Sequence, residues 1–275
     1  MKKLYAGSVA KYILLALATV AFIFPLIWLL YNSFKTNSQL YDNPWALPPG
    51  WSFTNYVYAW NTANIGLNFF NSVKVCALSL FFSLLMSTTA SFALTRLKWK
   101  LSGLVHGLFV VGMMVPIISM LIPLFFMFSR VGLVNTHAAL ILIYAVSNLP
   151  ISIFILTGFM RSFPAELEES AVIDGASMGR LFFSITLPVA KSAIATVTIY
   201  IFVTMWNELT TAMVFLSDIK LMTIPLALKT FQGQYSTDYV SSFAAVAMAT
   251  LPTVLIFTLF NRQIMEGVTA GAVKG

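Results

Sequence analysis

Apolar residues run along this chain in long blocks, and the polar residues collect in the intervals between them. From Tyr12 to Phe34 there is no charge at all. Comparable blocks cover about 69–94, 103–129, 135–160, 189–211 and 240–260. Each is close to the ~20 residues that cross a bilayer core as a helix. The pattern therefore predicts an all-α integral membrane protein, six transmembrane helices in a single membrane domain over residues 1–275. The first block is longer than the apolar region of a signal peptide, lacks a convincing cleavage site and is followed by further spans, so it reads as a retained helix. Pro25 is a point where it can kink. Pro116 and Pro123 both fall in the third block. Freed backbone carbonyls are tolerated at membrane depth chiefly beside protein or water, which sets that helix next to a pathway rather than facing lipid.

The intervals differ in character. Residues 35–68 are polar and rich in Pro and Trp, an ordered outer loop with aromatic anchors at the interface. The stretch from Val214 to Tyr239 is a second polar loop, carrying Asp218, Lys220, Lys229 and Asp238. The interval 161–188 is the most distinctive, F-P-A-E-L-E-E-S-A-V-I-D-G-A-S-M-G-R-L-F-F-S-I-T-L-P from Phe163 to Pro188. Pro164 suits the first turn of a helix, and Glu166 sits where the helix dipole favours negative charge. Leu167, Ala171 and Asp174 recur at i, i+4 and i+7 and are expected on one face. Gly175 suits a left-handed helix end and Ser177 an N-cap, so the segment reads as a helix–turn–helix outside the bilayer.

Composition narrows the class. With 59% hydrophobic and 9% charged residues, and a mean hydropathy of +0.86, no soluble core absorbs this apolar surface. The net charge of +7 is carried by basic residues scattered between apolar blocks. That placement speaks for membrane orientation and against nucleic acid. With the N-terminus inside, the cytoplasmic set is Lys2, Lys3, Lys11, Arg96, Lys98, Lys100, Arg161, Arg180, Lys191, Arg262 and Lys274. The outer set is only Lys35, Lys74, Arg130, Lys220 and Lys229. Both termini and the 161–188 interval are thus expected in the cytoplasm. The lone Cys76 excludes an intrachain disulfide.

At the cytoplasmic interval the chain resembles the permease subunits of ABC importers. The resemblance lies in Glu169-Ser170-Ala171, then Asp174-Gly175-Ala176, then Phe183, Ile185, Leu187 and Pro188; Ser170 stands where the family has alanine. It extends from Asn71 to the end. Trp206-Asn207-Glu208 and the ending from Gly267 to Gly275 are similar to the carbohydrate branch, in the maltose and multiple-sugar style. The resemblance implies a type I importer permease fold with a cytoplasmic coupling helix, in which Glu166, Glu169, Ser170, Ala171, Asp174, Gly175 and Ala176 meet ATPase subunits. It implies a second homologous permease, an extracellular or periplasmic solute-binding protein, a carbohydrate substrate, and a bacterial or archaeal cytoplasmic membrane. ATP and Mg would then bind in the partner ATPase and no cofactor in this chain.

The remaining chemistry agrees with that division. The chain has no Gly-rich phosphate loop ending in Lys-Ser/Thr, so nucleotide binding belongs elsewhere. His106 and His137 lie far apart without thiol or carboxylate partners at ligand spacing and read as structural, with no metal site. No Ser/His/Asp arrangement is visible, which weighs against an integral membrane enzyme. A secondary carrier needs carboxylates within its spans, and Glu208 is the one exception. Sugars need flat aromatic faces and hydrogen-bonding groups. Met113, Met114, Tyr144, Asn148, Trp206, Asn207 and Glu208 are the candidate path, with helix packing as the plainer role for each. Another small polar solute, an amino acid or a polyamine, is the alternative cargo.

Overall fold

The computed structural model describes residues 2–61, 64–97, 99–162, 166–229 and 238–272. All the regular structure among them is helical. α1 (Lys2–Asn32) runs through Pro25 and is followed by the short α2 (Asn37–Asp42) and α3 (Thr54–Asn61). α4 (Ile65–Arg96) is the next long helix. Then come α5 (Ser102–Gly112), α6 (Ile117–Arg130), α7 (His137–Ser147) and α8 (Leu149–Met160). Next come α9 (Glu166–Ile173) and α10 (Met178–Arg180), the latter continuing through a π-helical turn (Leu181–Thr186) into α11 (Leu187–Val189). α12 (Lys191–Trp206), α13 (Thr210–Phe215), α14 (Ile224–Leu228) and α15 (Tyr239–Ala272) complete the order.

Among the described residues, four stretches are long and apolar enough to cross a membrane: Val9–Asn32, Ile65–Arg96, His137–Met160 and Tyr239–Phe260. Two helix pairs meet the same test jointly but are bent, α5 with α6 by 99° and Met178–Val189 with α12 by 74°. Counting each pair as one span gives six. The sequence pattern predicts one span over each of 103–129 and 189–211, and the structure interrupts the helix in both. The first breaks after Gly112, and Pro116, in extended backbone (φ −68°, ψ 124°), starts α6. A proline supplies no N–H to the preceding turn and disfavours helical backbone in the residue before it, so the chain changes direction there. The second ends at Trp206, with Asn207 as its C-cap, and resumes at Thr210.

Contacts divide the chain into two compact units, Met1–Leu67 with Ala227–Leu251, and Asn68–Leu226 with Pro252–Gly275. In the first, the predicted aromatic loop packs on itself and on neighbouring helix ends. Phe34 meets Trp51, Phe53 and Tyr56 at 5.0–5.2 Å between centroids. Trp28 packs edge-on to Phe243 at 5.5 Å. Asp238 accepts from Asn37 Nδ2 at 3.0 Å and from Ser241 N at 3.2 Å, fixing the start of α15.

In the second unit, α8 packs against α5 and α12, and α6 against α13. Close approach is bought with small residues. A Cβ at Gly112 would lie 3.4 Å from Pro150 Cγ, across the α5–α8 contact. Ser79, Ser83, Ser87 and Ser91 recur every fourth residue of α4 and are all fully buried. Lipid tails supply no hydrophobic drive between helices, so such seams associate through van der Waals packing instead. Near its start α4 is tied to the segment before α14: Asn71 Nδ2 donates to the carbonyls of Lys220 (2.9 Å) and Met222 (3.0 Å), and Ser72 Oγ accepts from Ile224 N (2.8 Å).

Candidate functional site

The segment after α8 is built as a short helix, a tight turn and a second helix. The C-terminus of α9 closes in a Schellman arrangement: Ala176 N donates to Ala171 O (2.9 Å) and Gly175 N to Val172 O (3.0 Å). That geometry needs a left-handed residue, and Gly175 supplies it at φ +78°. Ser177 then caps α10, its Oγ accepting from Arg180 N at 3.3 Å. Both turn roles match the sequence expectation. Pro164 lies outside the described residues. Of the three residues expected on one face, Ala171 is half-buried and Asp174, directly after the end of α9, is exposed; the Leu167 side chain lies outside the described residues.

The segment has two distinct sides. Glu169, Ser170, Asp174 and Gly175 are exposed, as are Val172 and Ile173, the latter at 85%. Glu166 opens α9. Ala171 turns inward, against a cluster of Phe92, Leu181 and Phe182; Ala176 is half-buried. Beside α9 is a groove of about 450 Å³, lined by Arg96, Leu97, Glu169, Val172, Ile173 and Met178 among others.

Sequence reasoning missed the residue that anchors this segment. Glu168 is 8% exposed. Its carboxylate pairs with Arg96 Nε at the end of α4, and its Oε1 accepts from Thr186 Oγ1 at 3.2 Å. Arg96 Nη2 in turn donates to the carbonyl of Met160, the last residue of α8, at 2.7 Å. The available signal was spacing: Glu168 lies three residues before the inward Ala171, on its face.

A second feature is a polar cavity of about 230 Å³ among α6, α7, α12 and α13, lined by Tyr144, Ser147, Asn148, Thr204, Glu208 and Thr211 with apolar neighbours. Tyr144 OH donates to Glu208 Oε2 at 2.6 Å. Thr211 N and Ala212 N donate to the two carboxyl oxygens at 2.7 and 3.2 Å. Glu208 is half-buried, and these bonds satisfy its carboxyl oxygens where water is partly excluded. Asn148 donates to Tyr144 O (2.9 Å) and accepts from Thr204 Oγ1 (3.3 Å). Three candidate path residues, Tyr144, Asn148 and Glu208, thus come together, and the sequence reading missed Ser147, Thr204 and Thr211.

The other candidates sit elsewhere. Trp206 is 3% exposed, stacked on Phe202 (5.4 Å) and edge-on to Phe69 (5.8 Å), within the wall rather than on the cavity surface. Asn207 is exposed and its Nδ2 donates to Val203 O at 2.9 Å. Met113 is exposed at the end of α5. His106 bonds Thr157 Oγ1 (3.1 Å) and His137 the Leu221 carbonyl (2.9 Å), contacts that bridge helices.

An all-helical membrane chain with two broken spans and an anchored helical segment between them has known counterparts. Residues 79–268 match the family described as binding-protein-dependent transport system inner membrane component, and the chain belongs to that family. It is 35% identical to the diacetylchitobiose uptake system permease protein NgcG of Streptomyces coelicolor, over 95% of this chain and 87% of that one. It is 34% identical to the melibiose/raffinose/stachyose import permease protein MelC of Bacillus subtilis, over 96% and 95%. Its fold matches a chain in the crystal structure of a bacterial ABC transporter involved in the import of the acidic polysaccharide alginate, with a TM-score of 0.84 at 18% identity over 94% and 97% of the two chains.

Proposed function

We propose that this chain is a permease subunit of an ATP-driven importer that carries a sugar or short oligosaccharide across the cytoplasmic membrane. The observation that carries the reading is the α9–turn–α10 segment. It holds an acidic and apolar outer surface on a rigid turn, and it is fastened inward to α4 through Glu168 and Arg96. Such a surface suits a protein partner, and the partner is the ATPase, where ATP and Mg bind. Glu166, Glu169, Ser170, Ala171, Asp174, Gly175 and Ala176 form the contact. Both termini are cytoplasmic, α5 with α6 counts as one of six spans and α12 as another, the stretch before Val189 belongs to the cytoplasmic loop, and the whole forms one transmembrane domain.

The cargo reading rests on the sugar-importing relatives and on the Tyr144–Asn148–Glu208 cavity. Its hydroxyl and amide groups suit hydroxylated solutes. At about 230 Å³ it is below the ~300–1,000 Å³ of sites that enclose a drug-sized ligand. A second, homologous permease therefore supplies much of the oligosaccharide path, and a solute-binding protein delivers the cargo from outside. Affinity purification from the native membrane, with partners identified by mass and uptake of radiolabelled melibiose and diacetylchitobiose measured, tests this. An ATPase, a second permease and a binding protein are expected. A chain that purifies alone and transports without ATP refutes it.

A further inference from the structure

We infer that Arg96 and Glu168 form the joint through which the loop moves the spans, a role that rests on the function just proposed. α9 is only eight residues long, too short to hold itself as an isolated helix. Any push on its exposed face reaches the spans through its buried contacts or is lost in bending the segment. The apolar contact of Ala171 with Phe92 and Phe182 can slide, since dispersion has no direction. The Glu168 carboxylate cannot, because a guanidinium presents its donors in a fixed planar fork.

The geometry makes this one pair a junction of four elements. Glu168 is on α9, Arg96 ends α4, and Arg96 also holds the carbonyl that ends α8. Thr186, at the end of the π-helical turn that leads towards α12, donates to the same carboxylate. A displacement of α9 is therefore delivered to the near ends of three spans together. Buried ion pairs add little net stability over apolar contacts of the same volume, so position is the property this one contributes. Glu169, its neighbour, is exposed and serves the outer surface.

The test uses the complete importer in proteoliposomes, with ATP hydrolysed per radiolabelled melibiose or diacetylchitobiose imported as the readout. Arg96→Gln, Glu168→Gln and their double variant are compared with Thr186→Val and Arg96→Lys. Each neutralised variant should retain bound ATPase yet raise the ratio about tenfold, the scale of a typical coupling between sites. The double variant should be no worse than either single one, because the pair acts as a unit. Thr186→Val should give a smaller rise, and Arg96→Lys a partial rescue relative to Arg96→Gln. An unchanged ratio with the ATPase bound, or losses that multiply in the double variant, overturns the inference alone. Loss of the ATPase from every variant, Thr186→Val included, makes the pair structural and also overturns it. An unaltered importer lacking an ATPase sinks the proposed function, and this inference with it.

Discussion

Replacing Gly175 with valine tests the turn between α9 and α10 with little else disturbed. A Cβ at this position meets nothing within 4 Å, so the substitution brings no clash. Its cost is conformational: at φ +78° a side-chain-bearing residue is penalised by about 1–2 kcal/mol. That is roughly a 5- to 30-fold shift in any equilibrium between the native turn and a relaxed one. Relaxation breaks the hydrogen bonds from Gly175 and Ala176 back to α9 and lets the two helices change angle. The spans should stay inserted, because the turn is solvent-exposed. We predict a complex that reaches the membrane but hydrolyses ATP with poor transport, or sheds its ATPase. Two controls bound the interpretation. Gly175→Asn should be close to wild type, since asparagine tolerates the left-handed region far better than a branched residue. Gly179→Ala, in open space and within α10, should be neutral or gain up to about 1 kcal/mol of helix propensity. Uptake and membrane-associated ATPase are measured in parallel. Full coupling in Gly175→Val, or equal damage in Gly175→Asn, refutes the reasoning.

Four further outcomes are expected. In a Cys76→Ala background, Ser217→Cys should react with an impermeant thiol reagent in sealed, right-side-out cells and Met178→Cys should not, both positions being exposed; labelling at 178 reverses the orientation. Tyr144→Phe deletes one hydrogen bond to Glu208, worth about 1–3 kcal/mol, and should lower uptake severalfold with the complex intact. Trp206→Ala empties a packed site at a cost of about 3–5 kcal/mol and should instead lower complex yield; normal yield with a raised KM would put the ring in the path. Burial pushes the Asp238 carboxyl up, but hydrogen bonds involving Ser241 and Asn37 outweigh it and hold it below its ordinary value of 3.8. A depressed folded-state value means the stabilisation is complete above 3.8 and is lost as pH falls through the lower, folded value. Asp238→Asn should therefore lose less thermal stability than wild type on acidification through that range, and parallel profiles would contradict the sign.

The helical spans were legible because lipid demands that each backbone amide be satisfied within its own segment, so an apolar block of sufficient length has one outcome. The turn at Gly175 and the cap at Ser177 were legible for a related reason. Few residues adopt a left-handed helix end or accept a first-turn N–H, so residue type alone points to the geometry. The Arg96–Glu168 pair was not legible. Arg96 served the charge count, and Glu168 stood among exposed acidic neighbours. What distinguishes it is burial against α4, which depends on how α9 docks and not on local preference. Trp206 is the converse case: its type suits a sugar face as well as helix packing, and Phe69 and Phe202 pack against it.

The breaks in the spans and the position of the cavity have one physical cause. Unwound backbone at membrane depth leaves amide groups that lipid cannot satisfy, and it persists only where protein or water-filled space receives them. The α5–α6 break contributes Val115 to the cavity wall, and the α12–α13 break contributes Glu208. Glu208 itself takes up the free amides of Thr211 and Ala212 that the second break exposes. Pro116 thus marks the cavity more reliably than any single polar side chain. Its effect on the backbone is obligatory, whereas a tyrosine or asparagine in a span can as readily be turned to packing.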